Sequence, residues 1–195
     1  MHKSEVVIGI DVGDENKGFH GAVLAVKRML VIEIFHETEP TKIVRFIKKA
    51  MRCHLLAIDG PPKALIKGKE TRSAERELAR RGYRPQWTRR KPPAQKWMVN
   101  SERLWNVLQS ELPRVPMIET YPTAISDGLI DSKVALALNT LQGGEKRKFY
   151  KDYIDASLCA IGAYAAYTGK SIQLGEDDEL GSIHVLPKSF RPKQK

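Results

Sequence analysis

The chain has 195 residues, 42% of them hydrophobic, and a formal net charge of +10, enough for one domain with a buried core or one domain with a sizeable insertion. Its two cysteines, Cys53 and Cys159, form no CxxC pair, which argues against a disulfide framework or a structural zinc site and fits a reducing compartment. No run approaches the roughly 20 apolar residues of a membrane span, and the apolar run after "MHKSE" is too short for a signal peptide, so a soluble, cytoplasmic protein is expected.

In chain order, "VVIGIDVG" reads as a buried strand with Asp11 at its carboxyl end. "DENKG" is a turn and "FHGAVLAVK" a second strand, so the two form a hairpin. "LVIEIFHE" alternates as a third strand, and "PTKIVRFIKKAM" carries Ile43, Phe46, Ile47 and Ala50 at helical spacing. "LLAIDGPP" is a fourth strand stopped by Pro61 and Pro62, with Asp59 at its end. Residues 63–112 read as a basic insertion with helices around "RSAERELARRG" and "SERLWNVLQSE". "VPMIETYP" is a fifth strand with Glu119 near its end, "SKVALALNTL" a helix, and "FYKDYIDASLCAIGAY" a longer helix closed by Gly169. The expected fold is α/β, a mixed five-stranded sheet flanked by helices over residues 1–182, with a basic tail at 183–195.

The last of these helices carries acid where acid is costly. Asp152 and Asp155 share a face, and Asp155 lies on a stripe with Leu158, Cys159, Gly162 and Ala166, while Tyr153, Ala160 and Tyr164 fall opposite. An unpaired carboxylate facing a core is unfavourable, so a basic partner or a metal ion is expected there. Ligands on such sheets bind beyond the carboxyl ends of strands, where Asp11, Asp59 and Glu119 also sit. Several carboxylates cannot converge while ionised unless cations neutralise them, and hard oxygen ligands select Mg²⁺ or Mn²⁺. Two such ions about 3.5–4 Å apart activate a water and stabilise the leaving oxygen of a phosphodiester. Asp11, Asp59 and Asp155 are the expected ligands, with Glu119 and Asp152 completing the cluster or orienting water. The bland alternative makes Asp59 a turn residue, Glu119 a lysine partner and Asp152 a first-turn acid favoured by the helix dipole.

"IGIDVG", "LLAIDGPP", "RSAERELARRG", "MIETYPT", "KDYIDASLCAIGAY" and "GEDDELGSIHV" occur in an order that resembles an uncharacterised family of predicted RNase H-like nucleases, a domain of unknown function. They are also similar, more distantly, to the RNase H-like superfamily that includes RuvC-type Holliday junction resolvases. The resemblance implies an acid on the first strand, one at the end of the fourth and a DxxD pair on the last helix: Asp11, Asp59, and Asp152 with Asp155. Glu119 matches an acid of the predicted-nuclease family's fifth-strand motif, and Arg72 and Arg76 match its paired arginines. Tyr121 departs from the pattern, which more often has histidine.

The positive charge is localised. Residues 63–103 hold 13 Lys/Arg against 4 Asp/Glu, whereas residues 104–195 hold 11 of each. All three tryptophans, Trp87, Trp97 and Trp105, fall in or beside this segment. Cations meet phosphates and aromatic faces stack on unpaired bases, so Arg72, Arg76, Arg89, Arg90, Trp87 and Trp97 are expected to hold nucleic acid, DNA or RNA. A solvated basic face with tryptophans packing the insertion onto the domain is the alternative. "TGKS" lacks the glycine a P-loop requires, since Tyr164 stands there. Three functions stay open: a metal-dependent nuclease, a nucleic-acid-binding protein without catalysis, and an actin-like or sugar-kinase-like phosphotransferase, for which the chain is short. Pairing into a homodimer is also open.

Overall fold

The computed structural model describes residues 5–50, 52–67, 71–129 and 148–188. The first apolar run forms β1 (Glu5–Val12), and the turn after it returns the chain as β2 (Phe19–Ala25), buried throughout. β3 (Leu30–Glu37) and the amphipathic helix α1 (Pro40–Ala50) follow, then β4 (Arg52–Asp59). The basic segment supplies helices α2 (Ser73–Arg80) and α3 (Lys96–Glu111). Next come β5 (Met117–Thr120), the short helix α4 (Pro122–Gly128) begun by a proline in its first turn, and α5 (Tyr150–Tyr167). Strands β6 (Ile172–Leu174) and β7 (Ile183–Val185) end the described chain.

One sheet runs β3-β2-β1-β4-β5-β7-β6. The first three strands are antiparallel neighbours, while β1, β4, β5 and β7 run parallel. This is the mixed α/β arrangement expected, with two corrections. The sheet has seven strands rather than five, and residues 183–185 are not tail: they form β7, between β5 and the antiparallel β6. The helix expected at "SKVALALNTL" lies outside the described residues. No helix among the described residues is long and apolar enough to cross a membrane.

Period-two alternation sorts β1 between two cores. Val6, Ile8 and Ile10 join Leu56 and Ile58 of β4 beneath Ile43, Val44 and Ile47 of α1 and Leu104, Trp105 and Leu108 of α3. Helix α3 is therefore a layer of the domain and not a mere insertion, and it starts one turn earlier than expected. On the other face Val7 and Ala57 meet Ala156, Cys159, Ala160 and Ala163 of α5. That helix is buried on most of its circumference, so the side bearing Tyr153, Ala160 and Tyr164 is also buried rather than solvated. Gly169, at φ +69°, ends it as a left-handed cap, its N–H donating to the Ala166 carbonyl.

The seating of α5 on β1 leaves no side-chain room at Gly9. A Cβ there would stand 2.1 Å from the Ala160 nitrogen and 2.2 Å from the Ala156 oxygen, both helix backbone. Gly9→Ala is therefore expected to lower unfolding free energy by about 3 kcal/mol or more, the upper range for an overpacked core, read as a shift in the denaturant midpoint. A midpoint unchanged from wild type would contradict this packing.

Candidate functional site

Strands β1 and β4 are parallel and in register, with Asp11 directly beside Asp59 at their carboxyl ends. Both fall on the α5 side of the sheet, and the first turns of α5 bring Asp152 and Asp155 over them. All four line one cleft of about 480 Å³, with Lys17, Arg84, Lys96, Lys151, Trp97 and Tyr121 among its other walls. Asp11 and Asp152 are buried, whereas Asp155 is half-buried. Asp152 is thus the less exposed of the pair, whereas Asp155 is the one whose charge acts more strongly on Asp11 and also acts on Asp59. Asp59 exposes part of its surface to the cleft floor but sits deep among protein atoms.

The four acids are compensated unequally. Asp152 Oδ1 lies 2.5 Å from Lys17 Nζ, whereas Asp11 Oδ2 is buried with no hydrogen-bond partner. Burial, and then the charge of Asp155, push the Asp11 carboxyl up to about 7, against the opposing pull of Lys17. Burial, then Asp11, Asp155 and Glu119, raise Asp59 well above the usual carboxylate range. Asp155 is raised as well, chiefly by burial, with Lys151 opposing. Burial works against the Lys17 charge, but the hydrogen bond and charge of Asp152 overcome it and raise the ammonium's pKa.

Glu119 and Arg72 take a different part from the one expected. Glu119 registers with Ile58, one position short of Asp59, so alternation turns it to the sheet face opposite Asp11. There it meets Arg72: Nη1 donates to Oε1 at 2.9 Å, and Nη2 stands 2.8 Å from Oε2. Arg72 Nε also donates to Asp178 Oδ1 at 3.0 Å and Nη2 to the Gly181 carbonyl at 3.0 Å. Asp178 in turn accepts from the Ala74 N–H at the start of α2. With its side chain fully buried, Arg72 holds no phosphate: it clasps α2, β5 and the 178–181 loop together. Glu119 edges the cleft as the counter-ion of Arg72 and is not free to complete the acidic cluster.

The remaining basic and aromatic residues divide by position. Arg76 donates to the Thr71 carbonyl and hydroxyl, a local bond at the start of α2. Arg89, Arg90 and Trp87 are exposed and line no part of the cleft. Trp97 does line it, with its indole N–H held at 2.8 Å from both Gln86 Oε1 and Gln95 Oε1. Trp105 is core, and its Nε1 donates to the Gly60 carbonyl, fixing the chain just after Asp59. Sequence reasoning missed Lys17, Arg84, Lys96 and Lys151. The charge excess of the 63–103 segment pointed toward Arg84 and Lys96, but nothing in spacing distinguished them from their neighbours.

Among the described residues no three His, Cys, Asp or Glu side chains are arranged to hold a metal ion as they stand. The donor chemistry nonetheless fits a hard divalent cation: Asp11 presents a buried oxygen without a partner, beside Asp59 and Asp155, whose ionised forms repel it.

No protein-family model matches the sequence, and no curated protein matches it. Among solved structures the fold is similar to T. thermophilus RuvC in complex with Holliday junction substrate, at a TM-score of 0.46 and 16% identity over 85% of this chain and 96% of that one.

Proposed function

We propose that the cleft is the active site of a metal-dependent nuclease that hydrolyses phosphodiester bonds of DNA or RNA. The observation that carries this reading is the buried, partnerless oxygen of Asp11 beside Asp59 and Asp155 in a cleft also lined by Arg84, Lys96 and Lys151. An acidic floor under basic walls suits an anionic polymer that is held by its phosphates and cut at a metal. Asp11, Asp59 and Asp155 would hold Mg²⁺ or Mn²⁺. The bound ion would supply an activated water and neutralise the leaving oxygen.

This chain's own residues do the rest. Arg84 and Lys96, from the segment before and at the start of α3, and Lys151, from α5, bind phosphate oxygens by charge. Trp97 offers an indole, held by Gln86 and Gln95, for stacking on an unpaired base. Exposed Arg89, Arg90 and Trp87 extend the basic surface beyond the cleft. Asp11, its carboxyl raised to about 7 chiefly by burial, would hold a cation only in its ionised form, its proton passing to solvent water. The exposed basic surface of Arg89 and Arg90 outside the cleft also suits a second reading, a nucleic-acid-binding protein without catalysis; salt-sensitive binding with no Mn²⁺ uptake and no cleavage would select it.

Three outcomes are expected. Asp11→Asn and Asp155→Asn each lower cleavage by about 100-fold or more, since a metal-bound intermediate charge is worth several kcal/mol, with nucleic-acid affinity nearly unchanged; cleavage retained in both variants would defeat the assignment. Arg84→Gln and Lys96→Gln each weaken nucleic-acid binding across all sequences and reduce the steepness of its salt dependence by about one phosphate contact, measured by titration at several salt concentrations, without moving the melting temperature.

The third outcome concerns pH. A carboxyl whose folded pKa is raised favours folding below its unfolded value of 3.8, and that contribution is lost as pH rises through about 7. In chelator, stability therefore falls between about pH 4 and pH 7, by about 4 kcal/mol from Asp11 alone. Chemical denaturation across that window checks it: Asp11→Asn should flatten the slope, and Mn²⁺ should stabilise far more at pH 8 than at pH 5.

A further inference from the structure

The turn between β1 and β2 is built to deliver one side chain into the cleft. Asp14 Oδ1 accepts from the N–H groups of Asn16 and Lys17, both at 3.0 Å, an Asx-type turn. The Gly13 N–H donates to the Gly18 carbonyl at 2.8 Å, closing the loop. Two elements outside the turn pin it: Asn100 Nδ2 of α3 donates to the Gly13 carbonyl at 3.0 Å, and His36 Nε2 of β3 donates to the Lys17 carbonyl at 2.8 Å. The Lys17 stem then lies flat over Gly13. A Cβ at Gly13 would stand 2.6 to 2.8 Å from three carbons of that stem, so the missing side chain is the channel through which Lys17 reaches Asp152 Oδ1 at 2.5 Å.

From this geometry we infer that Lys17 is a resident cation of the acidic cluster, occupying the Asp152 side so that the cleft takes one divalent ion, on the Asp11, Asp59 and Asp155 side, instead of two. The inference rests on the nuclease reading of the cleft and changes its stoichiometry. Asp152 is buried and its Oδ1 already contacts a full positive charge. A divalent ion sharing that carboxylate would meet the ammonium at close range, and like charges repel there. Asp11 Oδ2, by contrast, is buried with no hydrogen-bond partner, and cation charge is still missing there. Lys17 is accordingly a positioning residue: it holds Asp152 and sets the number of ions without itself ligating one.

Calorimetric titration of Mn²⁺ into the whole chain at low salt separates the possibilities. Wild type is expected to bind one ion per chain, Lys17→Met two, and Lys17→Arg one again, because arginine restores the charge. Melting curves of the three proteins in chelator verify that each is folded before its stoichiometry is read. Two ions in wild type, or one in folded Lys17→Met, would overturn the role of Lys17 while leaving the metal site standing. No ion in either protein would defeat the nuclease reading itself, and the inference with it.

Discussion

The close seating of α5 on β1 is the constraint on which the site depends. At Gly9 the helix backbone replaces a side chain, and the small residues Ala156, Cys159, Ala160 and Ala163 carry the contact along the sheet. Asp11 lies two residues further along the same strand face, and Asp152 and Asp155 one turn back along the helix. A helix held at ordinary distance by larger side chains would lift both acids away from Asp11 and Asp59. Close packing of helix on sheet is thus what concentrates negative charge at the carboxyl ends of β1 and β4.

Charge concentrated in this way needs compensation, and the protein supplies it in two separate places. Around β5, Arg72 faces Glu119 and Asp178 and also caps a loop carbonyl. That network sets one buried guanidinium against two carboxylates, and breaking one partner of such a buried group leaves an uncompensated charge, a cost of about 3–5 kcal/mol. Within the cleft the compensation is partial. Lys17 answers Asp152, whereas burial raises Asp11, Asp59 and Asp155, with Asp155 adding to the shift of Asp11 and both adding to that of Asp59. Acids held by a buried guanidinium are a fold element, whereas acids left without a cation of their own have capacity for a ligand, which is why the two acidic groups are read so differently despite their proximity.

Much of the fold was legible in the sequence because β1 to β4 and α5 are long enough for periodicity to register. β6 and β7 have three residues each and α4 has seven, too few for alternation to stand out from loop. The acids Asp11, Asp59, Asp152 and Asp155 were legible by their positions at strand ends and on one helix. Their partners were not: α5 is buried nearly all round, so periodicity did not reveal that Asp152 meets Lys17 while the charge of Asp155 acts on Asp11 and Asp59. Glu119 was misread although alternation was available. Counting back from Glu119 along β5 against β4 requires the strand register, which sequence alone does not reveal.

Arg72 and Lys17 mark the same limit from opposite sides. Arg72 sits in the most basic stretch of the chain and was read as a phosphate contact, yet a residue some hundred positions later, Asp178, draws it inside. Lys17 sits in a stretch read only as a turn, yet a glycine four positions earlier gives its stem a path inward. In each case the long-range partner decides what the charge does. Net charge along the chain therefore located a basic segment but not the cations that face the acids. Those come from three unrelated elements: the β1–β2 turn, the residues leading into α3, and α5. Their convergence is a property of the sheet, whose parallel strands all end at the same edge.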